Sequence, residues 1–524
     1  LTDYAQAVRE TEAGRGDGVQ AAVAGGGGEA GDGEEQLAQG QLSNVDEPQL
    51  AQAMEPQVQQ LAPNGLFGPQ QRLEWNDEGG PNLQRLVRGR GNLAVNRLGQ
   101  RGGGGGMAPG EAIHEPFRPP LTAAKVQRGI QDAVLFLRSM QAPDGSIGEG
   151  SYAAGGNTAL AVLAMLAAGG DPAADRSLQQ ALDWLLELEA DNTYVRAIRA
   201  NVWEYALRKV PYHERLRTAL EQDFQWLRRA LGDRDGWRYS LESTDWDNSC
   251  TQYGVLGMWA AARAGHDPGD GFWQRMSRHF RKTQNRDGGW GYVGSSGSSA
   301  NMATAGLASM FLVFDMYHGK SYYQADQPRT FSAGEAAEVL ASLERGMKWL
   351  GASSSAEKAN SYYLYGIERA GVASGRKYIG GEDWFASGAL TVLTAQQPDG
   401  SIQLGYGPVI STAFSTLFLV YGGAPVAFNK LEHGKGQDWN LNPRDLANLS
   451  KYLWVAYERP LSWHSVSIDA EAGELEAPVL FLSGSKALQL NDGQVAKLRG
   501  YVRGGGTILA EPSDHAAAFR TSAL

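Results

Sequence analysis

The sequence holds one cysteine, Cys250, in 524 residues, which excludes an intramolecular disulfide framework and any metal site built from several thiolates. Long apolar runs are missing as well. The longest, Ala159–Ala168, has ten residues, against the roughly 18 that a membrane-spanning helix needs. Basic residues are in deficit: 47 Lys plus Arg stand against 58 Asp plus Glu, a net charge of −11. That balance argues against a nucleic-acid partner, which would select a basic surface. The first residue is Leu1 rather than Met, so an upstream signal or membrane anchor is compatible with the chain.

Glycine is what the chain has in excess, 68 residues in all. Gly25–Gly28 and Gly102–Gly106 bracket a Gln/Glu-rich stretch with little to bury, so residues 1–120 read as a disordered tether. The Arg-Gly-Arg-Gly piece at 88–91 could touch RNA or anionic lipid, but a solvated tether is the stronger reading.

From Leu121 the pattern becomes helical. Stretches with helical periodicity fall at 122–141, 157–169, 175–190, 193–209, 212–231, 248–265, 268–283, 301–318, 332–351, 359–372, 378–397 and 410–421. Twelve helices make six hairpins. The first member of a pair tends to carry an aromatic-Leu step near its end, as in Phe136-Leu137, Trp184-Leu185 and Trp226-Leu227. The second member is rich in Ala, Gly and other small residues, which suits a helix buried on most sides.

The hairpins share a signature. Gln284-Asn285-Arg286-Asp287-Gly288-Gly289-Trp290-Gly291 must turn tightly at Asp287-Gly288-Gly289, because Gly supplies the positive φ such turns require. Weakened copies occur at Met140–Gly148, Asp233–Tyr239 and Gln397–Ile402. The Asp-Gly pairs at 144, 235, 287 and 399 are separated by 91, 52 and 112 residues, close to two, one and two steps of about 51. Gln-x-x-Asp-Gly-Gly-Trp-Gly resembles the glutamine–tryptophan repeat of squalene–hopene cyclases and protein prenyltransferase β-subunits. The resemblance covers about 122–430. It implies a mainly α protein, an α6/α6 toroid of six inner and six outer helices, and a structural role for Gln284, Asp287, Gly288, Gly289, Trp290 and Gly291. Tyr362–Ala370 also resembles bacterial proteins that carry this toroid without known chemistry.

Past Pro425 the expected order is a linker over 431–441 followed by an α/β segment over 442–524. Asn442-Pro443-Arg444-Asp445 suits a helix start with Asn442 as N-cap. Strands are expected at Trp463–Ile468, Val479–Leu482 and Thr507–Ala510, with a helix at Asp492–Val502, which makes a parallel βαβ arrangement. The segment resembles a bacterial domain of unknown function of flavodoxin or glutamine-amidotransferase type. Its strands up to Leu524 are too few for a complete sheet, so the expectation is an incomplete domain.

Three chemistries compete with plain structure. Asp245-Trp246-Asp247-Asn248-Ser249 enters the third small-residue helix where cyclases of the resembled family carry Asp-x-Asp-Asp-Thr. The resemblance makes Asp247 a general acid flanked by Asp245 and Asn248. Asn248 and Ser249 depart from that pattern, and helix capping by Asp247 or Asn248 explains the residues equally simply. A prenyltransferase-like zinc site would need Asp and Cys one residue apart plus a later His; Asn248 lies two before Cys250, and Asn301 and Met302 stand where a His should be, so no metal or other cofactor is assigned. Third, parallel inner helices would gather their N-termini at one mouth. Asn157, Asn248, Asn301, Asn360 and Ser411 sit at cap positions, and Trp237, Tyr239, Trp290 and Tyr292 are expected near the rim. Converging dipoles would favour a small anionic ligand or a peptide terminus. In the α/β segment, Ser483-Gly484-Ser485 follows a strand, and Ser513-Asp514-His515 ends one.

The resulting expectation is a non-catalytic binding or scaffolding protein of the bacterial cell envelope or periplasm, with an unknown protein or small anion as partner. The alternative is a cyclase- or prenyltransferase-like enzyme with Asp247 as acid.

Overall fold

The computed structural model describes residues 117–150, 153–294, 296–319, 334–353, 360–434, 438–457 and 460–523. The expected tether lies outside these residues except for its last four. Twelve helices follow in sequence: α1 (Ala123–Ser139), α2 (Gly156–Ala167), α3 (Arg176–Glu187), α4 (Thr193–Lys209), α5 (Glu214–Leu231), α6 (Asn248–Arg263), α7 (Asp270–Thr283), α8 (Ala300–Val313, prolonged by a π turn over Phe314–His318), α9 (Gly334–Ala352), α10 (Ser361–Ser374), α11 (Trp384–Ala395) and α12 (Pro408–Gly422).

Even-numbered helices form the inner set. α2 packs on α4, α4 on α6, α6 on α8, α8 on α10 and α10 on α12, and α12 returns to α2. The odd-numbered helices pack on this set, α1, α5 and α11 each against two of its members and α3, α7 and α9 each mainly against one. Burial follows sequence. α8, built largely from Ala, Gly, Met and Leu, buries 12 of its 14 residues, whereas the more polar α7 buries five of 14. Small residues let the inner helices approach each other while remaining apolar on every side. One expected helix is shorter than its periodicity suggested. Over 378–383 the chain forms a tight hairpin, β1 (Tyr378–Ile379) and β2 (Glu382–Asp383), before α11 starts. Gly380 and Gly381 both have positive φ, and a Cβ on Gly380 would lie 2.1 Å from the Gly351 carbonyl oxygen.

The C-terminal part is a four-stranded parallel sheet in the order β4-β3-β5-β6, from β3 (Val426–Glu432), β4 (Ser462–Ser467), β5 (Val479–Gly484) and β6 (Thr507–Pro512). Helices α13 (Asp445–Tyr457), α14 (Asp492–Arg503) and α15 (Ala517–Ala523) accompany it. The linker expected over 431–441 is corrected here, because β3 reaches Glu432 and is an interior strand of the sheet. Asn429 and Lys430, just before the expected linker, are polar and give no strand pattern. Both are buried, and both have partners: Asn429 Oδ1 accepts from Ala477 N at 2.9 Å, and Lys430 Nζ lies 2.6 Å from Asp445 Oδ2. Helix α13 starts at Asp445 rather than after an Asn442 cap: its first helical bond runs from Asn448 N to the Arg444 carbonyl at 2.9 Å, and the Asn442 carbonyl accepts from Lys430 Nζ at 2.8 Å.

Helix α13 lies against the C-terminal ends of the inner helices. Arg444, just before it, grips both oxygens of Asp315 at 2.7 and 2.8 Å and also donates to the Ala373 carbonyl. The rings of Trp454 and Tyr421 are 5.8 Å apart.

Candidate functional site

The repeated signature is a clasp with fixed bonds. Gln284 Nε2 donates to Gly288 O at 2.8 Å within its own turn and to Ser342 O at 2.9 Å in α9, the next outer helix. Gln141 repeats this with Gly145 O and Ser177 O of α3, and Gln396 with Gly400 O and Gly129 O of α1. Gln284 bridges to Trp290, Gln141 to Ile147 and Gln396 to Ile402. Trp290 is fully buried, donates to Phe280 O at 2.8 Å and lies on Gly306, where a Cβ would come within 2.5 Å of its ring. Asp287 accepts from Gly289 N, Ser298 Oγ and Trp349 Nε1. Although burial opposes its charge, these donors hold its carboxyl below the usual range. Gly291 has no room for a side chain beside Ser296.

Trp237 repeats the role of Trp290. It is buried, donates to Leu227 O at 2.9 Å and covers Gly254. Trp237 and Trp290 therefore do not stand at a rim as expected; they fill the space between an outer and an inner helix. The cap assignments are also revised. Asn360 caps α10, accepting from Tyr363 N at 2.7 Å. For α8 the cap is Ser299, not Asn301, and for α6 it is Asp247, not Asn248. Helix α2 has Gly155 at its cap, and Asn157, inside the helix, donates to Gly148 O. Ser411, inside α12, holds the backbone of Leu404 and Tyr406.

Asp247 is fully buried. Its Oδ1 accepts from Cys250 N at 2.7 Å, and Arg238 Nη1 stands 3.3 Å from Oδ2. Burial raises its carboxyl pKa, against the pull of the Cys250 amide, Tyr292 and Arg238. Asp245 is mostly exposed, 3.6 Å from Arg238 Nε. Asn248 faces away from any shared acid cluster: its Nδ2 donates to Gly291 O, and its Oδ1 meets His279 Nε2, both at 2.9 Å. Burial lowers the His279 pKa to about 4, so the ring is neutral and its Nε2 donates. Tyr239 and Tyr292 share a hydroxyl–hydroxyl bond, with Arg238 over both rings. Cys250 is buried, and burial pushes its thiol pKa upward.

The ring interior is crossed by polar side chains whose bonds to one another the sequence did not show. Tyr194 donates to Ser249 at 2.9 Å, and Ser249 is 2.8 Å from the Tyr362 hydroxyl, joining α4, α6 and α10. Gln252 also donates to Tyr362 and accepts from Arg369 at 2.6 Å. Nearer α13, Tyr205 and Tyr421 link α4 to α12 through their hydroxyls. Helices α6 and α10, and α4 and α12, are not neighbours in the ring, so these bonds span its interior. The available signal was the presence of Tyr, Gln, Glu and Arg on helices otherwise made of small apolar residues. In the sheet, Ser485 is held by Asp438, which accepts from its hydroxyl at 2.6 Å and its amide at 3.1 Å. A separate cavity of about 360 Å³ lies between Lys377 and the edge strand β4, with His464 and Glu476 in its wall.

Comparison with known proteins gives two findings. The sequence profile of a family described as a domain of unknown function (DUF4159) matches residues 427–523. Among solved structures, the chain is similar to a variant of the type II terpene cyclase MstE from Scytonema in complex with merosterolic acid A, at 13% identity and TM-score 0.38, over 57% of this chain and 97% of that one. A second MstE variant, in complex with geranylgeranyl dihydroxybenzoate, gives 14% identity and TM-score 0.37 over the same shares. Apo MstE gives 13% and 0.36, over 57% and 98%. These values transfer no residue role to this chain. Among curated proteins none matches the chain.

Proposed function

We propose that the chain is a non-catalytic binding or scaffolding protein in which residues 121–430 form a terpenoid-cyclase-like α6/α6 toroid of six hairpins and the C-terminal part a flavodoxin- or amidotransferase-like α/β domain. The closed succession of inner contacts and the three equivalent glutamine clasps support the toroid. The observation that carries the absence of turnover is the crossing of the ring interior by Tyr362 with Ser249 and Gln252. A cyclase needs an enclosed apolar space for a hydrocarbon, and these polar bonds occupy it. The tether expected from sequence suits attachment at the bacterial cell envelope, a placement that cell fractionation would test.

The alternative, an enzyme with Asp247 as general acid, draws on the burial that raises this carboxyl. Against it, Oδ1 already caps α6 and a guanidinium faces Oδ2, which stabilises the ionised form. Incubation with squalene and with prenyl diphosphates, comparing the parent with Asp247→Asn, is expected to show no product in either. Product from the parent alone would establish the enzyme.

A further inference from the structure

The end of the ring beneath α13 gathers more positive charge than its carboxylates offset. Arg208 and Arg263 share Glu204, at 2.8 and 2.6 Å. Arg369 lies 4.6 Å from the Tyr365 ring centre, and the Tyr365 hydroxyl also feels Glu368 and Arg263. Lys451 arrives from α13, its ammonium 5.4 Å from the ring centre of Trp259, over which Arg263 lies at 3.6 Å. Glu368 is 3% exposed, and its Oε2 has no hydrogen-bond partner among the described residues. Burial pushes its carboxyl up to about 8, so it is mostly protonated at neutral pH. With Arg444, which holds Asp315, five cations therefore stand at this end against two ionised carboxylates, Glu204 and Asp315.

Helix ends account for part of this charge. Arg208 and Arg263 lie in the last turns of α4 and α6, where a cation meets the negative end of the helix dipole. Arg369 lies further inside α10, and Lys451 comes from the α/β part, so neither is explained that way. The Nε–H groups of Arg263 and Arg369 are buried and meet no acceptor among the described residues. Buried donors of this kind are normally satisfied by water or a ligand. Lys451 touches solvent, while burial of its ammonium and then Arg263 lower its pKa to about 8, against Asp315 and Glu204.

We propose that this cation cluster binds a small multivalent oxyanion, a phosphate ester or a polycarboxylate, held by Arg263, Arg369 and Lys451. The inference rests on reading the ring as a binding module and gives that module a ligand class and a place, at the α13 end rather than at the helix N-termini. An anion there relieves the mutual repulsion of the cations and accepts from the spare guanidinium N–H groups. Screening makes such binding weaken with salt.

The full chain titrated at low salt with pyrophosphate and, separately, with citrate tests this through tryptophan fluorescence, since Trp259 touches two of the cations. The expected result is a saturable change with at least one anion, and which anion gives it identifies the phosphate or carboxylate source. Lys451→Gln removes an exposed charge that makes no ion pair among the described residues, so the variant should fold; it should weaken binding at least tenfold. Arg369→Gln should do the same, with folding checked by thermal unfolding. No saturable change with either anion in the parent, or a Lys451→Gln titration that matches the parent, overturns the proposal. Turnover of a terpenoid by the parent would instead overturn the non-catalytic reading and leave this one standing.

Discussion

Gln396 Nε2 donates to the carbonyl oxygen of Gly129, 267 residues earlier, at 2.9 Å. The bond ties α11, the last outer helix, to α1, the first. It uses the same side-chain atom and the same geometry as the Gln141 bond to Ser177 and the Gln284 bond to Ser342, which join outer helices adjacent in sequence. Closure of the outer layer is thus one more copy of the internal joint. Its position is also tight, because a Cβ on Gly129 would lie 2.3 Å from Leu393 Cδ2.

Gln396→Ala should therefore destabilise the chain more than Gln141→Ala. Gln396 is buried, and its removal strands two buried carbonyls, at a cost of about 1–3 kcal/mol. Gln141 is half-buried, and water can replace part of its role. Urea unfolding followed by circular dichroism measures both; equal effects would show that the closing joint is no more important than an internal one.

Gly306→Ala should cost about 1–3 kcal/mol through overpacking, because the new methyl would sit 2.5 Å from the Trp290 ring. Trp290→Phe in the same background should restore part of the loss, since the smaller ring frees space. The double-mutant cycle measures this coupling, and strictly additive effects would contradict the contact.

The twelve helices were legible because their apolar periodicity is strong and four of the turns between them carry Asp-Gly. The clasp was legible in its parts, Gln284, Asp287 and Trp290, but its connectivity was not. That Gln284 bonds the next outer helix depends on how hairpins stack, and local sequence does not specify it. Strand β3 was missed because Asn429 and Lys430 look solvent-facing, and only the fold supplies Ala477 and Asp445 as partners. The assignment of Trp237 and Trp290 to a rim failed for a similar reason. Periodicity places a tryptophan at a helix junction, but the glycine beneath it, Gly254 or Gly306, decides whether the ring turns inward. The polar bonds across the ring interior join residues more than 100 positions apart, beyond the reach of any local pattern.

Breaking the Arg444–Asp315 pair should loosen the α/β part from the ring without unfolding either. Arg444 is buried, and Asp315→Asn leaves its charge without the bidentate partner, an effect on the order of 2 kcal/mol. Limited proteolysis should then cut faster within 432–444 in Asp315→Asn than in the parent. Unchanged cleavage would mean that the Trp454–Tyr421 contact and its neighbours hold the two parts together unaided.

Glu368 gives stability a distinctive dependence on pH. In the unfolded chain its carboxyl ionises near the ordinary value of 4.5, whereas burial raises it to about 8 in the folded ring, where Arg369 opposes the shift and Tyr365 and Tyr421 also face it. Below 4.5 the group is protonated in both states and has no effect. As pH rises from 4.5 to 8 the unfolded state releases the proton and the folded state retains it, so the contribution of this group to folding stability falls steadily. Above 8 the full penalty is present. The fall should total on the order of 5 kcal/mol. Glu368→Gln keeps the shape of the protonated acid and removes its titration, so the variant should be the more stable at pH 8.5 and equal to the parent near pH 4.5. Taking the difference between parent and variant in matched buffers cancels other groups, including His279, whose lowered pKa costs stability only as pH falls below about 6.5. A difference that stays flat from pH 5 to 8.5 would show that water reaches Glu368 and that its carboxyl ionises normally.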